Sequence, residues 1–293
     1  MVNKLSIGER VFEVFNILFM ILLCLVTLYP FYYVLIASFS DPSWIVKQRG
    51  LIWLPEGFNL DAYVRVLDNP MILQGYMNTL FVVTVGTLIN VFMTALGAYG
   101  LSRQNVMWKN PIMFFIVFTM FFSGGLIPNY LLVSELGMLD SLWALIIPGA
   151  ISAFNLIIMR TAFHGVPISL EESAKLDGAN DFTVLFRIIL PLSLPVIAVM
   201  ILFYGVGHWN SWFNALIYLR DRELYPLQLV LREILITNST DSMMTGTNAA
   251  DTMPIGETIK YATIVVATVP ILVLYPFLQK YFVKGVMIGA IKE

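Results

Sequence analysis

Long apolar runs alternate with short polar stretches and divide the chain into six hydrophobic segments: residues 11–39, 79–101, 111–132, 142–162, 194–219 and 258–282. A helix needs about 20 predominantly apolar residues to cross a bilayer, so each run predicts a membrane-spanning helix. Lys4 and Arg10 precede the first run, as charges precede a secretory leader. Its apolar stretch far exceeds a leader's core of roughly 7–15 residues, and no small-residue cleavage site follows. It is therefore expected to be retained as a span. Two polar intervals are long. Residues 41–76 carry Trp44, Trp53 and Tyr63; residues 220–257 hold an apolar stretch, 227–236, and then a Ser/Thr/Asn/Gly-rich run, 237–251. That composition predicts either a flexible tip able to reach a partner or a plain connector.

Composition agrees with the pattern. Of 293 residues, 58% are hydrophobic and only 12% charged, where a soluble domain has about a quarter charged. Most of the surface is therefore expected to face lipid. A formal net charge of −2 gives no sign of a nucleic-acid partner. Cys24 is the lone cysteine and His164 and His208 the only histidines, which excludes an intrachain disulfide and argues against a metal cluster.

Lys and Arg placement sets orientation. With the N-terminus inside, the inner face holds Lys4, Arg10, Arg103, Lys109, Arg160, Lys175, Arg187, Lys280, Lys284 and Lys292, against Lys47, Arg49, Arg65, Arg220, Arg222, Arg232 and Lys260 outside. The short connections decide it: Arg103 and Lys109 join the second and third runs, Glu135 and Asp140 the third and fourth. Both termini are expected to be cytoplasmic.

The segment 168–195, ISLEESAKLDGANDFTVLFRIILPLSLP, then falls on the inner side. Pro167 ends the preceding helix. Ser169 with Glu172 three positions on has the spacing of a capping box. Gly178 supplies a left-handed stop. Asn180 or Asp181 is positioned to cap a second helix, 182–190, whose Phe182, Leu185, Phe186 and Ile189 would form one apolar stripe. Pro191 and Pro195 mark the return to the membrane. Glu171, Glu172, Asp177 and Asp181 crowd this short element. An anionic leaflet favours basic residues, so the pair fits a protein socket better than lipid, although an interfacial connector is the alternative.

At Glu172-Ser173-Ala174, Gly178 and Ile189-Leu190-Pro191 the chain resembles the E-A-A–x3–G motif with downstream L-P of permease subunits of bacterial ABC importers. The longer string LEESAKLDGA…LPLSLP is similar to the maltose-type carbohydrate branch, closest to the lipoprotein-assisted subgroup that imports pectin fragments or alginate. Ser173 stands where the motif has Ala, a small-for-small departure. The likeness runs from about Thr79 to Glu293.

The resemblance implies an all-α integral membrane protein with six transmembrane helices and the type I importer permease fold. It divides the chain into a helix and outer loop (1–76), a permease core (77–283, coupling segment 168–191) and a cytoplasmic tail (284–293). It implies a second permease, distinct from this one, two ATPase subunits carrying ATP and magnesium, and an extracytoplasmic solute-binding protein. Glu171, Glu172, Ser173, Ala174, Leu176, Asp177, Gly178 and Ala179 would form the coupling helix seated in an ATPase cleft, and Lys284 and Lys292 would reach the same interface. The chain itself lacks a G-x-x-x-x-G-K-[ST] phosphate loop and is expected to be non-catalytic, with no cofactor of its own.

The fifth run, YGVGHWNSWFNALIYL, is unusually polar for a span. Tyr204, His208 and Trp212 recur at helical spacing beside Asn210, Ser211 and Asn214. Intramembrane polar groups usually face a cavity or a bundle interior, so these residues are candidates for the solute path; interhelical hydrogen bonding is the alternative. Gly124-Gly125 with Pro128, Pro148-Gly149, Pro270 and Pro276 are candidate hinges or kinks. A rival reading, an ion-coupled secondary transporter, would require an ionisable residue at mid-membrane, and the six runs carry no Asp, Glu, Lys or Arg at their centres.

Overall fold

The computed structural model describes residues 6–47, 50–244, 258–273 and 276. Among them the fold is all-helical, without strands. The chain forms two compact units, Met1–Asn69 with Ile234–Thr268, and Pro70–Glu233 with Val269–Glu293.

The first unit is built on one 33-residue helix, Ile7–Phe39. Ser6 opens it with a capping box: its hydroxyl accepts from the Glu9 amide, and the Glu9 carboxylate accepts from the Ser6 amide at 2.6 Å. Leu18, Leu22 and Leu25 are exposed and the helix is apolar all round, the pattern of a lipid-facing span. Its far end is different. Ile36 and Ala37 are buried with Ile45 and Ile52, and Phe39 stacks on Phe58 and Tyr63. The Tyr29 hydroxyl accepts from the Ile52 amide at 2.9 Å. The segment expected as an outer loop thus folds onto the helix end and contains two short helices, Pro42–Lys47 and Asp61–Leu67.

The second unit is organised by the 33-residue helix Pro70–Ser102. It packs against Leu194–Trp209 and Ala153–His164. Close approach depends on small residues: a Cβ on Gly97 would sit 2.9 Å from Leu156 Cδ1, and one on Gly86 would sit 2.7 Å from His208 Nε2. The inner core gathers Ala98, Tyr99, Met159, Phe163, Val184, Leu185, Ile189 and Met200. A second cluster joins Val82, Val133, Ile146, Ala215, Tyr218 and Leu229.

Among the described residues two helices, Ile7–Phe39 and Pro70–Ser102, are long and apolar enough to cross a membrane unbroken. The third, fourth and fifth expected spans are interrupted. The third bends by 114° between Lys109–Phe121 and Leu126–Glu135, where Gly125 takes φ +85°. The fourth stops after Trp143–Ile146, yields at Pro148-Gly149, and resumes at Ala153 under a Ser152 cap. The fifth is helical over Leu194–Trp209, opens, and continues as Phe213–Tyr218. Of the sixth, Thr258–Val273 is a helix; beyond it only Pro276 is described. The polar run after residue 236 is not wholly a loop either, because the helix Leu227–Met244 extends into it. That helix starts firmly: Leu227 and Leu229 are fully buried, and the Leu227 amide donates to Thr79 Oγ1 at 2.9 Å.

Candidate functional site

Ile168–Leu176 forms the expected polar helix, nine residues long, joined at 71° to Ala153–His164. Its start differs from expectation. Pro167 occupies the cap position without any side-chain hydrogen bond, so Ser169 lies inside the first turn and no Ser169–Glu172 capping box forms. Proline pre-sets the entering φ and has no amide to satisfy, which moves the helix start upstream of the serine. The end is as the glycine predicted. Gly178 takes φ +84°; its amide donates to the Lys175 carbonyl at 3.0 Å, and the Ala179 amide donates to the Ala174 carbonyl at 2.9 Å. These two bonds are the Schellman motif. Ala174 and Ala179 turn inward against the core as its apolar contact.

The second helix begins at Asp181 with Asn180 as its cap, the Asn180 side chain accepting from the Thr183 amide at 2.8 Å. A π-helical turn, Leu185–Ile189, follows. It adds a residue to the turn and breaks the expected stripe: Val184, Leu185 and Ile189 are buried, whereas Phe182 and Phe186 point outward.

The docking candidates separate into two faces. Glu172, Ser173, Leu176, Asp177 and Gly178 are exposed, and Leu176 is 89% exposed at the helix tip. Glu171 is turned the other way, only 7% exposed. Its carboxylate is ion-paired with Arg103 and with Lys175 Nζ at 2.8 Å. Lys175 also reaches Asp181 at 3.1 Å. Burial alone would lift the Glu171 carboxyl, but hydrogen bonds from Lys175 and Arg103, with their charges, hold it below the usual range. Its own hydrogen bonds to Glu171 and then to Asp181 raise the Lys175 ammonium. Arg103 was expected only as an inner-face cation. Its guanidinium instead meets three elements: Nη1 the Glu171 carboxylate, Nη2 the Phe163 carbonyl at 3.0 Å, and Nε the Ser102 hydroxyl at 3.1 Å. It also lies 5.0 Å over the Tyr99 ring. Arg160 Nε donates to the Leu101 carbonyl at 2.8 Å. One usable hint of this lies in the sequence, Arg103 and Arg160 at the ends of two apolar runs.

The candidate path residues are split as well. The buried Tyr204 hydroxyl hydrogen-bonds Thr94 Oγ1 at 2.7 Å and accepts from the Ser152 amide at 3.0 Å. His208 Nε2 lies 3.1 Å from Asn90 Oδ1, and Asn90 Nδ2 donates to the Gly149 carbonyl at 2.8 Å. Both side chains are therefore engaged between helices, the alternative reading of this stripe. Asn210, Trp212 and Asn214 are exposed around the break and Ser211 is half-buried, with Arg232 stacked 4.5 Å over Trp212. Lys284 and Lys292 lie outside the described residues. Among the described residues no cluster of His, Cys, Asp and Glu could hold a metal.

No family model matches the chain. Individual proteins do. It is 44% identical over 284 residues, 97% of this chain and 99% of the relative, to the polygalacturonan/rhamnogalacturonan transport system permease protein YtcP of Bacillus subtilis (strain 168). It is 46% identical over 287 residues, 97% of this chain and 95% of the relative, to Protein LplC of the same organism. Among solved structures, a chain from a bacterial ABC transporter that imports the acidic polysaccharide alginate superposes with TM-score 0.86 at 32% identity, covering 96% of this chain and 100% of that one. An all-helical apolar chain, matched over nearly its whole length by such relatives, belongs to the permease subunits of bacterial sugar ABC importers, integral membrane proteins that do not themselves catalyse a reaction.

Proposed function

We propose that this chain is one of two non-identical permeases in an importer of acidic oligosaccharides, derived from pectin-like or alginate-like polymers. It would sit in the cytoplasmic membrane of a bacterium with six crossings and both termini inside. An extracytoplasmic binding protein delivers the sugar, and two ATPase subunits, holding ATP and magnesium, drive alternation between inward- and outward-facing states. The substrate class is supported by what the similar proteins are named to carry: polygalacturonan/rhamnogalacturonan for one, alginate for another.

The observation that carries the reading is the tip of the helix Ile168–Leu176. A nearly fully exposed Leu176 stands beside Glu172, Asp177 and Gly178 on a helix stopped by a Schellman turn. An apolar side chain within a polar rim is the arrangement a partner's cleft can bury. We assign this tip to the ATPase cleft as the coupling helix, with Lys284 and Lys292 of the tail joining the same contact. Hinged interruptions of the third, fourth and fifth spans suit a rigid-body switch.

The test is titration of purified ATPase subunit onto the permease complex. Leu176→Asp should weaken binding about tenfold or more, the loss expected when an anchor residue is removed. Leu18→Ala on the lipid face should not. Wild-type affinity in Leu176→Asp would refute the docking assignment.

A further inference from the structure

The coupling helix is anchored to the transmembrane core through one polar junction, and its geometry points to a transmission role. Arg103 follows the last residue of the helix Pro70–Ser102. Its three donors hold the Ser102 hydroxyl, the Phe163 carbonyl at the end of Ala153–His164, and Glu171 in the coupling helix. The Arg103 and Glu171 side chains are 15% and 9% exposed, so little solvent screens the pair. Lys175 closes the other side of the Glu171 carboxylate at 2.8 Å and bridges to Asp181 at 3.1 Å. Arg160, from Ala153–His164, donates in turn to the Leu101 carbonyl at the end of Pro70–Ser102.

We propose that Arg103 and Glu171 are positioning residues that make the coupling helix, Ala153–His164 and Pro70–Ser102 move as one body, so a displacement of the tip is delivered to the central span. This rests on the assignment of the tip as the ATPase contact. Apolar packing of the helix Ile168–Leu176 and its stop is thin: Ala174 and Ala179 are their small contributions to the core. Two alanines can seat a helix yet leave it free to tilt. A planar guanidinium with three directed bonds fixes the tilt, which the single point charge of a lysine cannot do. Glu172, one position on, is exposed and takes no part in the junction, so one turn carries an outward residue for the motor and an inward one for the channel.

The experiment uses the assembled importer in vesicles and reads two quantities, affinity for the ATPase subunit and solute imported per ATP hydrolysed. Glu171→Gln and Arg103→Met should keep ATPase affinity within about twofold. They should lower transport per ATP about tenfold, within the range typical of a coupling free energy between sites. Arg103→Lys should behave like Arg103→Met. Loss of ATPase binding in Glu171→Gln with normal transport per ATP in the complexes that remain would overturn the proposal, as would unchanged coupling in every variant. The tip variant Leu176→Asp separates the two ideas. If it binds the ATPase normally, the docking assignment fails; if it loses binding while the junction variants stay coupled, only the transmission proposal fails.

Discussion

Substituting Gly86 by alanine tests whether His208 belongs to the helix interface or to the solute path. The new Cβ would stand 2.7 Å from His208 Nε2, 3.0 Å from Cδ2 and 3.1 Å from Cε1. The imidazole cannot swing aside freely, because Nε2 is within 3.1 Å of Asn90 Oδ1. Either the helices part or the ring turns and abandons Asn90. Overpacking a close helix contact costs about 1–3 kcal/mol, and a lost side-chain hydrogen bond adds about 1 kcal/mol. The expected destabilisation is therefore about 3 kcal/mol, which at about 2–4 °C per kcal/mol for a chain of this size lowers the midpoint by roughly 6–12 °C. The assay is thermal unfolding of the detergent-solubilised importer, run on Gly86→Ala, His208→Ala and the double variant. His208→Ala removes the obstruction, so the double variant should be no less stable than His208→Ala alone. This non-additivity is the signature of direct contact. If Gly86→Ala unfolds at the wild-type temperature, and His208→Ala abolishes transport without any loss of stability, the ring faces solute and the packing argument is wrong.

Further expectations follow from the same geometry. Gly178→Val places a β-branched residue at φ +84° with open space around it, so the penalty is all in the backbone, about 1–2 kcal/mol; ATPase affinity measured by titration should fall about tenfold. Asn78 Nδ2 donates to the Glu223 and Tyr225 carbonyls at 2.7 and 3.1 Å, and Asn78→Leu leaves both without a donor. Destabilisation of about 1–3 kcal/mol is expected, with limited proteolysis appearing first in the turn Arg222–Leu224. The Asp140 carboxylate accepts from the Asp221 and Arg220 amides at 2.9 Å, which hold it below the ordinary aspartate value. A depressed folded-state value stabilises above the unfolded one and is lost as pH falls through it. Cleavage of that turn by an acid-active protease should therefore rise as pH drops below about 4 in the wild type, and be flat with pH in Asp140→Asn.

The elements visible in the sequence were those set by local chemistry. Hydropathy located Ile7–Phe39 and Pro70–Ser102, which the structure keeps as unbroken helices. Gly178 announced its own left-handed turn at the end of the polar helix Ile168–Leu176. What was hidden depends on partners far away in the chain. Glu171 and Glu172 read alike, yet one is buried because Arg103, 68 positions earlier, sits beneath it. Ser169 matched a cap pattern that Pro167 pre-empted. Phe182 and Phe186 fell off the apolar face because a π-helical turn changes the period after Val184. The interruptions at Gly125, at Pro148-Gly149 and after Trp209 lie within apolar runs; hydropathy averages over such breaks and reports a continuous span. Tyr204 and His208 were visible as polar residues in a membrane helix, but only the positions of Thr94, Ser152 and Asn90 decide which way they face.

The account stands or falls on whether this chain is a passive channel worked by a separate motor. The direct measurement is uptake of a labelled acidic oligosaccharide into vesicles holding both permeases and the binding protein, with and without ATPase subunits and ATP. Uptake should require both, and should collapse in Leu176→Asp. Sustained accumulation by the permeases alone, driven by an ion gradient and indifferent to ATP, would contradict it.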